Sequence, residues 1–165
     1  MDNAPIISPD PGPATTGLTA RELDAVRARR ASLRQASRTA WDVLRADGGP
    51  PAHAGALLEA VDVLGGVWAT HSAETESPDG VLAQVLADCP RLAHAITRLR
   101  QEHEQVAQAL AAVHRQLAAA PSDAPVDPAT GVPALANALD TVERHRRAGR
   151  ELFHNAYQVD LGLGE

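Results

Sequence analysis

The chain has 165 residues, enough for one domain with a sizeable core; 44% are apolar but only 2% aromatic, so that core must be built from Leu, Val and Ala. A net charge of −6 argues against nucleic acid as the main partner, because phosphate contacts need a basic surface. A single cysteine, Cys89, excludes an intrachain disulfide, no run of about 18 apolar residues offers a membrane span, and the N-terminus lacks the basic-then-apolar pattern of a signal peptide, so a cytoplasmic protein is expected.

Residues 1–17 hold Pro5, Pro9, Pro11 and Pro13 and little that packs, and they read as a disordered tail before a single domain at 18–165. Thr19-Ala-Arg-Glu22 is a capping box that opens a first helix running to about Ala46, where Gly48-Gly49-Pro50-Pro51 stops it. A second helix is predicted from about Ala52 to Thr75, with Gly65-Gly66 marking a kink or a close helix contact. Ser77-Pro78-Asp79 reads as the start of a short helix ending near Asp88, with Ser77 as its N-cap. Pro90 begins a third long helix to about Ala119, prolines from Pro121 to Pro133 punctuate a linker, and a fourth long helix covers about Ala134 to Tyr157. No strand pattern appears. Four long amphipathic helices on short connections predict an all-α, up-down-up-down four-helix bundle.

Histidines interrupt the apolar seams of these helices. The third helix repeats Leu92, Ile96, Leu99, His103, Val106, Leu110, Val113, Leu117, and the fourth repeats Leu135, Ala138, Val142, His145, Gly149, Leu152, Ala156. The second gives Leu57, Ala60, Leu64, Val67, His71, Glu74, and the first gives Leu23, Val26, Arg30, Leu33, Ser37, Ala40, Leu44. A rise of about 1.5 Å per residue places His103, His145 and Arg30 at about 20, 18 and 17 Å from one end, hence in one layer, with His71 and Glu74 about 6–8 Å from that end.

Imidazole in a core costs free energy unless hydrogen-bonded or metal-bound. Two arrangements satisfy these side chains. In one, His71, Glu74, His103 and His145 converge on iron, zinc or manganese. In the other, the histidines are hydrogen-bonded partners of each other, of carboxylates or of water. Arg30, if it points inward, favours an anionic small molecule; a first-helix seam through Glu22, Val26, Arg29 and Leu33 would turn Arg30 away. Gly149 leaves room beside His145 for a ligand or permits close packing, and His154 is a further ligand candidate at the His71 end. His53 falls at a helix start, His94 and His114 flank the third seam as rim residues, and Glu102, about 100° from His103, reads as a surface residue. Cys89 has no histidine motif around it and reads as a small buried residue. No Gly-rich phosphate loop, nucleophile elbow or Cys-x-x-Cys pair is present.

Residues 18–165 resemble the haemerythrin-like (HHE cation-binding) domain family, of the actinobacterial type. The resemblance rests on His71-Ser-Ala-Glu74 through Gly80, Pro90-Arg-Leu-Ala-His94 through His103, and His145-Arg-Arg-Ala-Gly149 through Gly162, together with the Ala/Arg/Leu/Gly bias and the absence of lysine. It implies a four-helix bundle and a non-haem iron centre, di-iron in many members, that binds or reduces oxygen, peroxide or nitric oxide. The family's full site takes a histidine from the first helix, His-x-x-x-Glu from the second, His-x-x-x-His from the third and His-x-x-x-x-Asp from the fourth. Here the first helix offers Arg29 or Arg30, the second His71-x-x-Glu74, the third His103 with Leu99 and Ala107 a turn away on either side, and the fourth His145 with Arg150 at the carboxylate position. A modified iron site on His71, Glu74, His103 and His145 is therefore expected, with a small molecule such as oxygen as its partner. The alternative is a metal-free bundle that binds a small acidic molecule at Arg30, His103 and His145. Ala-rich helix faces are also compatible with a homodimer.

Overall fold

A computed structural model describes residues 19–45, 54–125 and 131–157. The predicted tail at 1–17 and His53 lie outside the described residues. The described residues form five α-helices and no strand: α1 (Ala20–Leu44), α2 (Ala54–Glu76), α3 (Val81–Asp88), α4 (Ala93–Ala118) and α5 (Gly131–Tyr157), with a 3-10 turn at Pro90–Leu92 leading into α4.

The capping box forms as the sequence predicts. Glu22 N donates to Thr19 Oγ1 at 3.3 Å, and Thr19 N donates to Glu22 Oε2 at 2.7 Å. Along α1 the buried row is Val26, Leu33, Ser37 and Ala40, with Arg30 on the same row and Glu22 exposed. The seam thus runs through Arg30. α2 continues unbroken through Gly65 and Gly66, and a Cβ at either would meet nothing within 4 Å, so the pair makes no close helix contact. Ser77 is not a helix N-cap. Its Oγ donates to Glu74 O at 3.2 Å, closing α2, and Gly80 precedes α3 instead. α5 begins at Gly131 rather than near Ala134, with Pro133 in its first turn, where a missing N–H breaks no helical bond.

α1 packs on α2, α2 on α4, α4 on α5, and α1 also meets α5, so the four long helices close around shared apolar layers. One core gathers Leu33, Leu57, Leu64, Trp68, Val106, Leu110, Leu139 and Val142. A second forms where α2 has ended and α3 takes its place: Val81, Leu82 and Val85 pack with Val26, Ile96, Leu99, Leu152 and Phe153. The Tyr157 hydroxyl donates to Asp88 Oδ2 at 2.7 Å and Arg91 Nη2 donates to Asn155 O at 2.7 Å, tying the end of α5 to this corner.

His103 sits between Leu99 of the second core and Val106 of the first, His145 between Val142 and Leu152, and Arg30 between Val26 and Leu33. His71 joins this layer rather than lying below it. α3 and the 3-10 turn occupy the space beyond the end of α2, so α4 starts further out than α2 stops and heights counted from the two ends do not match. No described helix is long and apolar enough to cross a membrane.

Two substitutions in α2 separate core from open surface. Leu64→Ala empties a fully buried site and should lower stability by about 2–5 kcal/mol. Gly66→Ala fills open space and should raise it by about 0.5–1 kcal/mol. Urea unfolding of both variants measures the contrast, and a destabilised Gly66→Ala would show that the pair is needed for packing.

Candidate metal centre

Three helices each bring one imidazole into the polar layer. α2 supplies His71, α4 His103 and α5 His145, and one ring nitrogen from each lies within 4.8 Å of the others. His103 Nε2 is 3.1 Å from His145 Nε2, and His71 Nε2 is 3.3 Å from His145 Nε2. His103 and His145 are 5% and 4% exposed. Trp68 backs all three rings, with centroid separations of 5.6 Å to His71, 5.6 Å to His103 and 5.0 Å to His145, and its Nε1 donates to His103 O at 3.1 Å.

The outer nitrogens meet carboxylates. His103 Nδ1 lies against Glu76 Oε1, and His145 Nδ1 lies 3.1 Å from Glu102 Oε2. Glu102, expected at the surface, has a side chain only 22% exposed. Its backbone does turn away from His103, and the long side chain then reaches the imidazole of the neighbouring helix. Glu76 was not among the sequence candidates.

Each carboxylate draws its partner's proton to Nδ1, which leaves Nε2 as a lone pair; these tautomers are assigned from the partners. His145 is held down to about 2, first by burial, then by His103, His71 and Arg30; His71 is held down to about 3, first by burial, then by His103, Arg30 and Arg29. Both rings are thus neutral at neutral pH. Lone pairs about 3 Å apart repel unless a cation sits among them. Tetrahedral coordination with metal–nitrogen bonds of about 2.0–2.1 Å sets its nitrogens about 3.3 Å apart, close to the separations of His145 Nε2 from His103 Nε2 and from His71 Nε2. A carboxylate on the far nitrogen of a ligating imidazole orients the ring and raises its basicity. Three imidazoles suit iron, zinc, copper or nickel.

Not all predicted site residues join. Glu74 is 49% exposed on its side chain and pairs with Arg29 Nη1 at 3.4 Å, away from the imidazoles. It stands about 60° round α2 from His71, toward α1, while Glu76 falls about 200° from Glu74, toward α4. His154 is exposed and contributes nothing to the cluster, since it lies on the outer face of α5. His94 is also exposed, and His114 is partly exposed beside Asp62 at 3.1 Å. Cys89 is half-buried, its thiol donating to Ala156 O at 3.6 Å. Arg30 does face inward and lines the cavity with all three imidazoles and Gly149. Burial, then Arg150 and Arg146, lowers it to about 10, which leaves it cationic at neutral pH. An open groove of about 830 Å³ runs between α2 and α4, past Gly65, Gly66 and Ala107, and reaches Trp68, Glu76 and His103 of the cluster.

The chain matches no family model, no curated protein and no solved structure.

Rings held neutral by burial make the fold acid-sensitive. In the unfolded chain each ring takes up a proton below about pH 6.5, whereas His71 and His145 resist it in the fold down to about 3 and 2. Their contribution is complete above about pH 6.5 and declines toward those values, by up to about 1.4 kcal/mol per pH unit for the buried His145. Urea unfolding with chelator present, between about pH 7 and pH 4, should show this decline, and His145→Gln should flatten it. An unchanged slope in the variant would refute neutral burial.

Proposed function

We propose that this chain is a haemerythrin-like, up-down-up-down four-helix bundle whose His71, His103 and His145 hold one divalent transition-metal ion, iron foremost, and that it binds or activates a small molecule such as oxygen, peroxide or nitric oxide beside it. The observation that carries this is the convergence of imidazole nitrogens at 3.1 and 3.3 Å, with a carboxylate behind two of the rings. Short connections between successive long helices favour antiparallel neighbours. One ion rather than two fits the residues better, because Glu76 and Glu102 are engaged with Nδ1 atoms and Glu74 with Arg29.

A metal held by three imidazoles supplies open coordination positions and Lewis-acid or one-electron chemistry to a ligand beside it. The chain's own residues do the rest. Glu76 and Glu102 fix the ring orientations and the side on which each imidazole keeps its proton. Trp68 packs against all three rings, and Val26, Leu33, Leu99, Leu152 and Phe153 give the cavity beside them an apolar lining. Arg30 places a fixed positive charge at the cavity wall. A cation beside a divalent ion is unfavourable in a dry site unless negative charge intervenes. The cavity measures about 40 Å³, room for about three water-sized atoms, and so selects ligands far smaller than the drug-sized molecules of ordinary binding pockets.

Metal analysis with the visible spectrum in air is the direct test. About one iron per chain is expected after anaerobic loading with ferrous ion, falling to trace levels in His103→Ala and His145→Ala, with Glu76→Gln and Glu102→Gln weakening metal affinity by about 10–100-fold. No stoichiometric uptake of any first-row metal would overturn the proposal.

A further inference from the structure

The cavity beside the imidazoles is lined by donors that have no acceptor. Among the described residues Arg30 meets no carboxylate and no hydrogen-bond acceptor; its contact is the Phe153 ring, 5.5 Å from the guanidinium carbon. Its basic neighbours Arg29 and Arg146 are already matched, by Glu74 and Glu143. His71, which lines the same cavity, has its Nδ1 buried with no partner, while its Nε2 faces the other rings. A neutral ring presenting its Nε2 lone pair to the cluster carries its proton on Nδ1, so this is a second unmatched donor. Buried donors without acceptors are rare in folded proteins and call for a ligand or an ordered water. His71 Nδ1 is one such donor, and the unpaired, partly exposed guanidinium of Arg30 lines the same small cavity.

Shape narrows the ligand. A guanidinium is a planar fork that matches two oxygens of a planar anion. A cavity of about 40 Å³ admits about three heavy atoms. The other charged groups of the lining, Arg29 and Arg146, are already matched by Glu74 and Glu143, so a second charge on the ligand would find no free partner. Gly149 belongs to the same arrangement, because a Cβ built there would lie 3.2 Å from Arg30 Nη2 and press on the guanidinium.

We propose that Arg30 and His71 Nδ1 form an anion subsite that takes a planar monoanion of about three heavy atoms, of the formate or nitrite class. The ligand's negative charge offsets the guanidinium, and its other face lies toward the three imidazoles. The inference rests on the metal-centre reading for what that second face meets and for the proton on His71 Nδ1, which is placed there when Nε2 turns its lone pair to the cluster; the Arg30 charge stands without it.

Isothermal titration with formate, against its neutral isostere formamide, tests it on the full chain in metal-free and metal-loaded form. Formate should bind at least about tenfold more tightly than formamide, and benzoate should not bind. Arg30→Gln should weaken formate by about 10–100-fold with metal content unchanged. Gly149→Ala, a change that favours helix and keeps the fold, should weaken it in the same direction by displacing the guanidinium. Equal affinity for formate and formamide, no formate binding, or unaltered binding in Arg30→Gln would each overturn the proposal. Metal content measured on the same samples separates the two readings. Arg30-dependent formate binding in a chain that takes up no metal sustains the subsite and sinks the metal centre. Stoichiometric metal without formate binding does the reverse.

Discussion

The meeting of three imidazoles inside an apolar core is the constraint on which this molecule turns. Each ring costs desolvation, and His103 Nε2 and His71 Nε2 each stand about as far from His145 Nε2 as neighbouring ligands of a single metal ion stand from each other. Carboxylates behind His103 and His145 decide which nitrogen faces inward. Without a cation, one proton can bridge His103 Nε2 and His145 Nε2, but His71 Nε2 still faces the same atom of His145. The layer is therefore satisfied by an ion and only partly satisfied without one.

The apolar residues hold this layer in place. The first core lies on one side and the α3-containing core on the other, so each of α1, α4 and α5 passes from one apolar cluster through the polar layer into the next. Ring positions are thus fixed by packing on both sides, and Trp68 adds an indole within 5.6 Å of every ring centroid. α3 has a structural consequence beyond filling an end. By replacing α2 beyond Glu76, it lets His71 sit near the end of its own helix yet level with residues deep in the others. Ligand binding would couple the two cores, since an ion that ties α2, α4 and α5 together adds its binding free energy to folding.

Much of this was legible in the sequence because it depends on helical periodicity. His103 and His145 occupy seam positions where leucine is expected, their heights agree, and Arg30 follows the seam of α1; all three lie in the layer. The acidic partners were less legible. Seam arguments find residues that point at the axis, whereas Glu76 and Glu102 sit on the flanks between helices and reach sideways. A usable signal was present in Glu102-His103: a long acidic side chain one residue before a buried histidine lands on the flank facing the next helix. Glu74 misled because spacing along one helix gives an angle but not the neighbour it faces, and its carboxylate meets Arg29. The height of His71 could not be read because it depends on how α3 lies, which is set by tertiary packing.

The partners follow an order around the closed ring of helices. α2 lends Glu76 to the histidine of α4, and α4 lends Glu102 to the histidine of α5. By the same order α1 would lend a carboxylate to His71 of α2. It carries Arg29 and Arg30 there instead, and His71 Nδ1 is the buried side-chain polar atom left without a partner among the described residues. The same substitution removes a counter-anion from the cluster and adds a cation to it, so the local charge is shifted twice in one direction. In a pocket with that imbalance, lined by Phe153, Leu152 and Val26 and too small for more than a few atoms, the proposed small anion would balance the charge. The break in the order at α1 thus gives the layer a chemical direction, with ring orientation set by the carboxylates on one side and ligand charge set by the guanidinium on the other.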